Sequence, residues 1–206
     1  MNGDTTLFDM AEFERESVAA TPWRGAPLAY TTDYYDPADL VAAFERYQAE
    51  RGHFACIPLS HMWHPAYAGH GDQLVTEGHE LHMFHADARC DEAGHDHSAD
   101  PLPGQLMTQG ICPGCRWHMI DRSENAIVAA WHDHAMPGWR ELPILPRKLA
   151  RFENKQQIAA VAAWVRDTYP TAWQRPGAPI RTERGPYGTR HVPGRSPFGG
   201  YDLSAD

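Results

Sequence analysis

The chain of 206 residues lacks a long hydrophobic run. Its longest uninterrupted apolar stretch, residues 158–165, has eight residues, whereas a helix needs about 20 to cross a bilayer. The first residues also lack the basic segment and the apolar segment that open a secretory signal. We therefore expect a cytoplasmic protein that has no membrane partner.

Several motifs of common enzymes are missing as well. The sequence contains no G-x-x-x-x-G-K-[ST], no G-x-G-x-x-G and no G-x-S-x-G. These absences exclude the usual phosphate loop, the dinucleotide-binding fingerprint and the nucleophile elbow. His79 and Glu80 lack the second histidine of H-E-x-x-H, so the zincin motif is excluded too. The sequence therefore favours a binding protein over an enzyme.

Lysine is scarce, with two residues against sixteen arginines, and the net charge is −9. Residues 1–169 carry a net charge of −11, whereas residues 170–206 carry +2. An acidic surface repels the phosphate backbone of DNA, so a protein is the expected partner. One alternative is nucleic-acid binding through the arginines of the C-terminal segment, which are Arg175, Arg181, Arg184, Arg190 and Arg195.

Cysteine is rare, and its spacing indicates a metal site. Four cysteines in a chain of intracellular character make a poor disulfide framework. Cys112-Pro-Gly-Cys115 has the form of a zinc knuckle, in which a tight turn directs two thiolates at one ion. A redox pair has the same spacing, but it would open a helix, whereas a strand-like stretch follows here. We predict that Cys112 and Cys115 bind Zn²⁺.

A tetrahedral zinc ion needs two more ligands, for which the sequence offers several candidates. Cys90 lies 22 positions before the knuckle and is the predicted third ligand. The fourth is expected from one of two His-x-His pairs, with His134 favoured slightly over His97 and with His132 and His95 as alternatives. Because residues two apart on a helix point to different faces, at most one of His132 and His134 is expected to bind.

Histidine is concentrated in one part of the chain. Nine of the thirteen histidines lie within residues 53–97. His61, His64 and His82 are the most plausible trio for a second metal site or an acid–base site. On this trio rests the alternative hypothesis that the protein is a metal-dependent hydrolase or nuclease.

The hydrophobic pattern predicts one mixed domain with a flank at each end. Residues 1–35 are expected to form an N-terminal arm, and residues 36–169 a single zinc-binding α+β domain. Residues 170–206 are rich in Pro, Gly and Arg and are expected to form an extended tail, mobile or draped over the surface. The expected fold is a small irregular sheet with about three helices, which long loops connect and zinc stabilises.

Capping residues and apolar spacing predict the individual elements. Helices are expected to begin after Asp36, with Pro37 at the first helical position, after Asp121 and after Asn154. The expected strands cover residues 54–59, 80–88 and 116–120, and a polar loop is expected at residues 91–110.

Three stretches around the knuckle have a distinctive sequence: Cys-Pro-Gly-Cys-Arg-Trp at 112–117, Asp-Arg-Ser-Glu-Asn at 121–125, and His-Asp-His-Ala-Met-Pro-Gly-Trp-Arg-Glu-Leu-Pro at 132–143. Over roughly residues 52–147 the chain resembles a zinc-knuckle-containing domain family of unknown function from actinobacteria and actinobacterial phages. The resemblance implies a zinc domain in a phage or mobile-element setting, and it implies no activity. The expected function is that of an accessory protein with a structural zinc site, which acts by binding protein or nucleic acid.

The N-terminal arm contains a second short motif. Thr5-Thr-Leu-Phe-Asp9 resembles the short Leu-Phe peptides that dock in a replication sliding clamp, although Asp4 stands where such peptides usually have Gln. Leu7 and Phe8 are therefore candidate partner-binding residues. The alternative is that their side chains cover the protein's own core.

Overall fold

The computed structural model describes residues 7–51, 61–66, 74–76, 78–90, 98, 101–184 and 188–205. These residues form four α-helices and nine short strands in two small sheets, so the fold is mixed α+β, as predicted. None of the helices described is long and apolar enough to cross a membrane. The helices are α1 (Leu7–Ala20), α2 (Pro37–Arg51), α3 (Glu124–Ala135) and α4 (Lys155–Thr168), and the strands are β1 (His64–Pro65), β2 (Leu74–Thr76), β3 (His79–Asp87), β4 (Leu106–Cys112), β5 (Trp117–Asp121), β6 (Ile144–Leu145), β7 (Ile180–Thr182), β8 (His191–Val192) and β9 (Asp202–Ser204).

The larger sheet is antiparallel, with the strand order β1-β3-β4-β5 and with β2 also paired to β3. His82 of β3 lies opposite Ile111 of β4, and Ile111 lies opposite His118 of β5. Strands β3 and β5 confirm the strands predicted at residues 80–88 and 116–120. The strand predicted at 54–59 lies outside the described residues.

Strand β4 begins at Leu106, inside the stretch that was expected to be a loop through residue 110. Its polar residues Thr108 and Gln109 are buried, with Gln109 completely inaccessible to solvent. The prediction was wrong for these residues because buried polar side chains remove the alternation of apolar and polar positions that identifies a strand.

Each face of the larger sheet is covered by its own hydrophobic core. Along β3, Leu81 belongs to the first core and Phe84 to the second, because odd and even residues of a strand point to opposite faces. The first core includes Trp131 of α3 and Val161 of α4. The second core includes Leu40 of α2. The sheet therefore lies between α3 on one side and α2 on the other.

The segment expected to be an N-terminal arm packs on this second core. The Nη2 atom of Arg46 on α2 donates hydrogen bonds to the backbone carbonyls of Val18 and Thr21, at 2.5 and 2.7 Å. The ring of Tyr30 lies 5.2 Å from the buried ring of Trp63, and the Trp63 indole N–H donates to the carbonyl of Thr31 at 2.7 Å. Helix α1 and the segment that follows it are therefore part of the fold rather than an arm.

The C-terminal segment, expected to be an extended tail, supplies most of the smaller sheet. This sheet has the order β6-β7-β9-β8, with β7 parallel to β6 and β9. Ile180 and Leu203 are buried in the first core. A Cβ atom at Gly200 would lie 2.3 Å from the carbonyl oxygen of Gly177, so only glycine allows these backbones to approach. The described part of residues 170–205 is folded, and its strands of two or three residues are too short to show a period in the sequence.

Two helix starts test the capping predictions. Asn154 caps α4 as predicted, because its Oδ1 accepts a hydrogen bond from the Gln157 backbone N–H at 2.9 Å. The cap of α3 is Ser123 rather than Asp121. Asp121 is the last residue of β5, and its Oδ1 accepts from the Ser123 N–H at 2.7 Å. The acidic side chain thus orients the cap without being the cap.

Replacing Asn154 with alanine is expected to lower the free energy of unfolding by about 1 kcal/mol, because the first turn of α4 loses an acceptor. Urea unfolding followed by circular dichroism measures this change. Asn154→Asp is the matched control, since aspartate caps helices about as well as asparagine. Equal losses in both variants would show that the cap is not what Asn154 contributes.

Candidate metal centre

Four side chains with metal-binding atoms converge beside the larger sheet: His79, Cys112, Cys115 and His134. Their ligand atoms all lie within 4.8 Å of one another, and no other such group of three or more occurs among the described residues. The Sγ atoms of Cys115 and Cys112 lie 3.3 and 3.7 Å from Nδ1 of His79. The group could hold a metal ion and is compatible with zinc.

The register of the larger sheet brings the first three residues together. Strands β3 and β4 are antiparallel with His82 opposite Ile111, so the beginning of β3 lies beside the end of β4. His79 is the first residue of β3, and Cys112 is the last residue of β4. The fourth residue lies in the last turn of α3. The indole N–H of Trp131, one turn earlier on α3, donates to the carbonyl of Glu80 at 3.1 Å and holds the helix against this end of β3.

The turn between the cysteines is a short 3₁₀ helix, residues 113–115, which returns the chain into β5. It ends at Arg116, whose backbone is left-handed, with φ at 53°, and whose N–H donates to the Pro113 carbonyl at 3.1 Å. A Cβ atom at Gly114 would lie 3.1 Å from the carbonyl oxygen of Gly78, the residue before β3. Glycine therefore allows the turn to approach the strand that carries His79.

The distances agree with a shared tetrahedral ion. With Zn–S near 2.3 Å and Zn–N near 2.05 Å, tetrahedral angles place sulfur and nitrogen about 3.6 Å apart. The two distances from Nδ1 of His79, 3.3 Å to Cys115 and 3.7 Å to Cys112, lie on either side of this value.

His134 presents a polar atom that the described protein groups do not satisfy. Its Nε2 is buried without a hydrogen-bond partner among the described residues. Its ring stacks on Trp117 at 5.2 Å between centroids and meets the His79 ring edge-on at 5.0 Å. Burial, and then the neighbouring His79, lower the pKa of His134. An unsatisfied buried nitrogen costs about 1–3 kcal/mol, and a metal bond would remove that cost.

The two neighbouring thiols make each other's ionisation unfavourable. The pKa of Cys115 is raised by desolvation and then by the hydrogen bond and the charge of Cys112. Two adjacent thiolates repel each other, so the second one is difficult to ionise alone. A divalent cation reverses this effect, because it is attracted to both sulfurs and keeps them deprotonated.

His132, the alternative to His134, lies in the first core. Its Nδ1 lies 2.7 Å from the Val128 carbonyl oxygen, and its ring makes edge contacts with Trp131, Trp139 and Tyr201. Burial is the main cause that lowers its pKa to about 4. The two histidines point to different faces of α3, as their spacing of two residues requires.

Cys90 does not join the group, and His79 is present instead. Cys90 follows the end of β3. At that end, Asp87 lies opposite Leu106, the first residue of β4, whereas Cys112 is the last residue of β4. The two ends of β4 are six positions apart, which corresponds to about 20 Å along an extended strand. The expectation that Cys90 is the third ligand is therefore corrected. His95 and His97, the candidates just beyond it, lie outside the described residues.

The histidine trio of the second predicted site is not brought together as a ligand group. His61 Nδ1 lies 2.8 Å from the Asp87 carbonyl oxygen, whereas His82 Nε2 lies 2.9 Å from Glu80 Oε2. His64 lies opposite His85 across the strand pair, with ring centroids 6.2 Å apart. The three residues are thus committed to three separate contacts, and the hydrolase hypothesis loses the site on which it rested.

The arginines of the C-terminal segment are used within the fold. The Nη1 atom of Arg181 donates to the Leu142 carbonyl at 2.9 Å, and the guanidinium of Arg175 lies over the Trp173 ring, 5.9 Å from its centroid. These contacts do not favour a free basic arm that would wrap nucleic acid. The other three arginines make contacts with residues of the smaller sheet. Arg190 forms a hydrogen bond with Ser204, and Arg184 and Arg195 form ion pairs with Asp202.

The remaining predicted partner-binding residues are at the beginning of α1. Leu7 and Phe8 belong to the first turn of this helix, but their side chains lie outside the described part of the structure. Docking of this motif in a sliding clamp stays a prediction.

Comparison with known proteins gives one match. The family described as "Family of unknown function (DUF6349)" matches residues 25–206. No curated protein and no solved structure matches the chain. The matched range includes all four residues of the metal group and the whole of the smaller sheet.

Proposed function

Because the chain belongs to the DUF6349 family, whose function is unknown, we propose a role from the site itself. The group of His79, Cys112, Cys115 and His134 binds one structural zinc ion, in an accessory protein that acts by binding a partner. The observation that carries this proposal is the convergence of two sulfurs and two imidazoles within 4.8 Å of one another.

The donor set favours zinc over other divalent metals. Two cysteines and two histidines are a usual ligand set of structural zinc sites, whereas calcium and magnesium prefer oxygen ligands. Zinc also has no geometric preference of its own, so it accepts whichever tetrahedral arrangement the strands and the helix offer.

The number of protein ligands favours a structural role. Four ligands complete a tetrahedral shell, whereas a catalytic zinc keeps one position for water or substrate. The four residues belong to four successive elements: the start of β3, the end of β4, the turn that follows it, and α3. An ion bound to all of them cross-links residues that are up to 55 positions apart along the chain, His79 and His134.

A partner surface is supported by an exposed aromatic residue. Phe13 on α1 exposes 71% of its surface, the largest value among the large hydrophobic residues described. Exposed aromatic side chains are enriched where proteins bind one another. A protein partner is therefore our proposal, and the phage or mobile-element setting rests on the sequence resemblance alone.

Elemental analysis and cobalt substitution test the proposal together. The native protein is expected to contain about one zinc ion per chain. After exchange for Co²⁺, the visible spectrum of a closed tetrahedral site should remain unchanged when azide is added, because no position is open. A protein without zinc would refute the metal assignment. A spectrum that changes with azide would indicate an open coordination position, as in catalytic zinc sites, and would refute the structural role.

A further inference from the structure

A second feature, separate from the metal centre, is a basic cleft between the smaller sheet and the segment before α4. The cleft has a volume of about 630 Å³. Its lining contains two acidic residues, Glu183 and Asp202, and five cationic ones: Arg147, Lys148, Arg151, Arg184 and Arg195. This local excess of three positive charges stands out on a chain with a net charge of −9.

One of the two acidic residues anchors cationic side chains at the floor of the cleft. Asp202 is only 1% exposed, and its Oδ1 accepts a hydrogen bond from the Thr182 hydroxyl at 2.6 Å. Its Oδ2 forms an ion pair with Arg184 and lies 3.9 Å from a guanidinium nitrogen of Arg195. The guanidinium of Arg195 also lies over the Phe152 ring, 4.8 Å from its centroid. Arg184 and Arg195 are thus held in place before any ligand arrives.

Three other cations in the lining have no side-chain partner among the described residues. Arg147, Lys148 and Arg151 are exposed, and their side chains make no ion pair or hydrogen bond with the part of the chain that the structure describes. Three cations so close together repel one another, and a bound anion would relieve that repulsion.

We propose that this cleft binds a small anion that carries phosphate groups. Arginine forks bind phosphate oxygens in pairs, and lysine adds a point charge. The volume falls within the range of about 300–1,000 Å³ that is typical of small-molecule sites. An extended polyanion such as nucleic acid would meet the acidic remainder of the surface, whereas a compact phosphate ester meets only the cleft. The inference is independent of the zinc proposal.

Isothermal titration of sodium pyrophosphate into the full chain at low salt tests this inference. The triple variant Arg147→Gln/Lys148→Gln/Arg151→Gln is expected to bind at least about tenfold more weakly than the wild type, because three charge-assisted contacts are lost. The matched control removes the same charge from three exposed arginines outside the cleft, Arg24→Gln/Arg122→Gln/Arg166→Gln, and should retain most of the affinity. All six positions are exposed, and thermal unfolding checks that both variants fold.

Three outcomes would overturn the proposal. The first is no heat of binding with wild-type protein, and the second is an equal loss of affinity in the cleft variant and in the control. The third comes from a parallel titration with a single-stranded DNA oligonucleotide. If the oligonucleotide binds through the same three residues and pyrophosphate does not displace it, the ligand is a nucleic acid rather than a small anion.

Discussion

Replacing Cys115 with serine is expected to remove nearly all zinc from the protein and to unfold the region that the ion cross-links. Structural zinc contributes about 10–16 kcal/mol of apparent binding energy in small zinc domains, whereas a whole domain is stable by only about 5–15 kcal/mol. Serine offers a hard oxygen in place of a thiolate, so the shell loses one of its four bonds. Elemental analysis after dialysis, together with thermal unfolding, measures both effects.

Cys90→Ser is the control for this experiment, because it also removes one thiol. The structure places Cys90 outside the group of four, so this variant is expected to keep its full zinc content and its melting temperature. His79→Ala should instead behave like Cys115→Ser. If Cys90→Ser lost the metal while His79→Ala retained it, the ligand set described above would be wrong, and the chain would bind its ion through the three cysteines.

Replacing Asp202 with alanine is expected to lower the free energy of unfolding by about 3–5 kcal/mol. This carboxylate is 1% exposed and forms an ion pair with Arg184, whose side chain is only 11% exposed. Removing it leaves a nearly buried guanidinium without its counter-charge, and it also takes the hydrogen-bond acceptor from Thr182. Urea unfolding monitored by tryptophan fluorescence measures the change.

Glu183→Ala provides the comparison for that result. Glu183 lies next to Thr182 in the chain but is exposed, so its replacement should change the stability by no more than about 0.5 kcal/mol. A loss of less than about 1 kcal/mol for Asp202→Ala would mean that the C-terminal segment is draped over the surface, as its composition had suggested. A large loss would establish that the smaller sheet is an integral part of the domain.

These two effects describe two separate ways in which the fold is stabilised. The metal group joins α3 to one end of the larger sheet. The buried Asp202 joins β9 to β7 through Thr182 and Arg184. The metal group thus connects elements that are distant along the chain, and the buried ion pair connects strands of only three residues.

The sequence alone determined the features that depend on neighbouring residues. The tight turn of Cys112 and Cys115 follows from the Pro-Gly pair between them, and the start of α4 follows from the side chain of Asn154. Strand β3 was recognisable from its alternation. In each case the forces act over one turn or one strand, so a short window of residues contains all the information.

Tertiary structure alone decided which distant residues meet. The antiparallel register of β3 and β4 brings His79, and not Cys90, to the two cysteines. Pairing between strands decided likewise that β7, β8 and β9 of the C-terminal segment build a sheet, although the Pro and Gly content of this segment suggested a tail. Register and packing depend on the free energy of the whole core, and no local pattern of residues reports that energy.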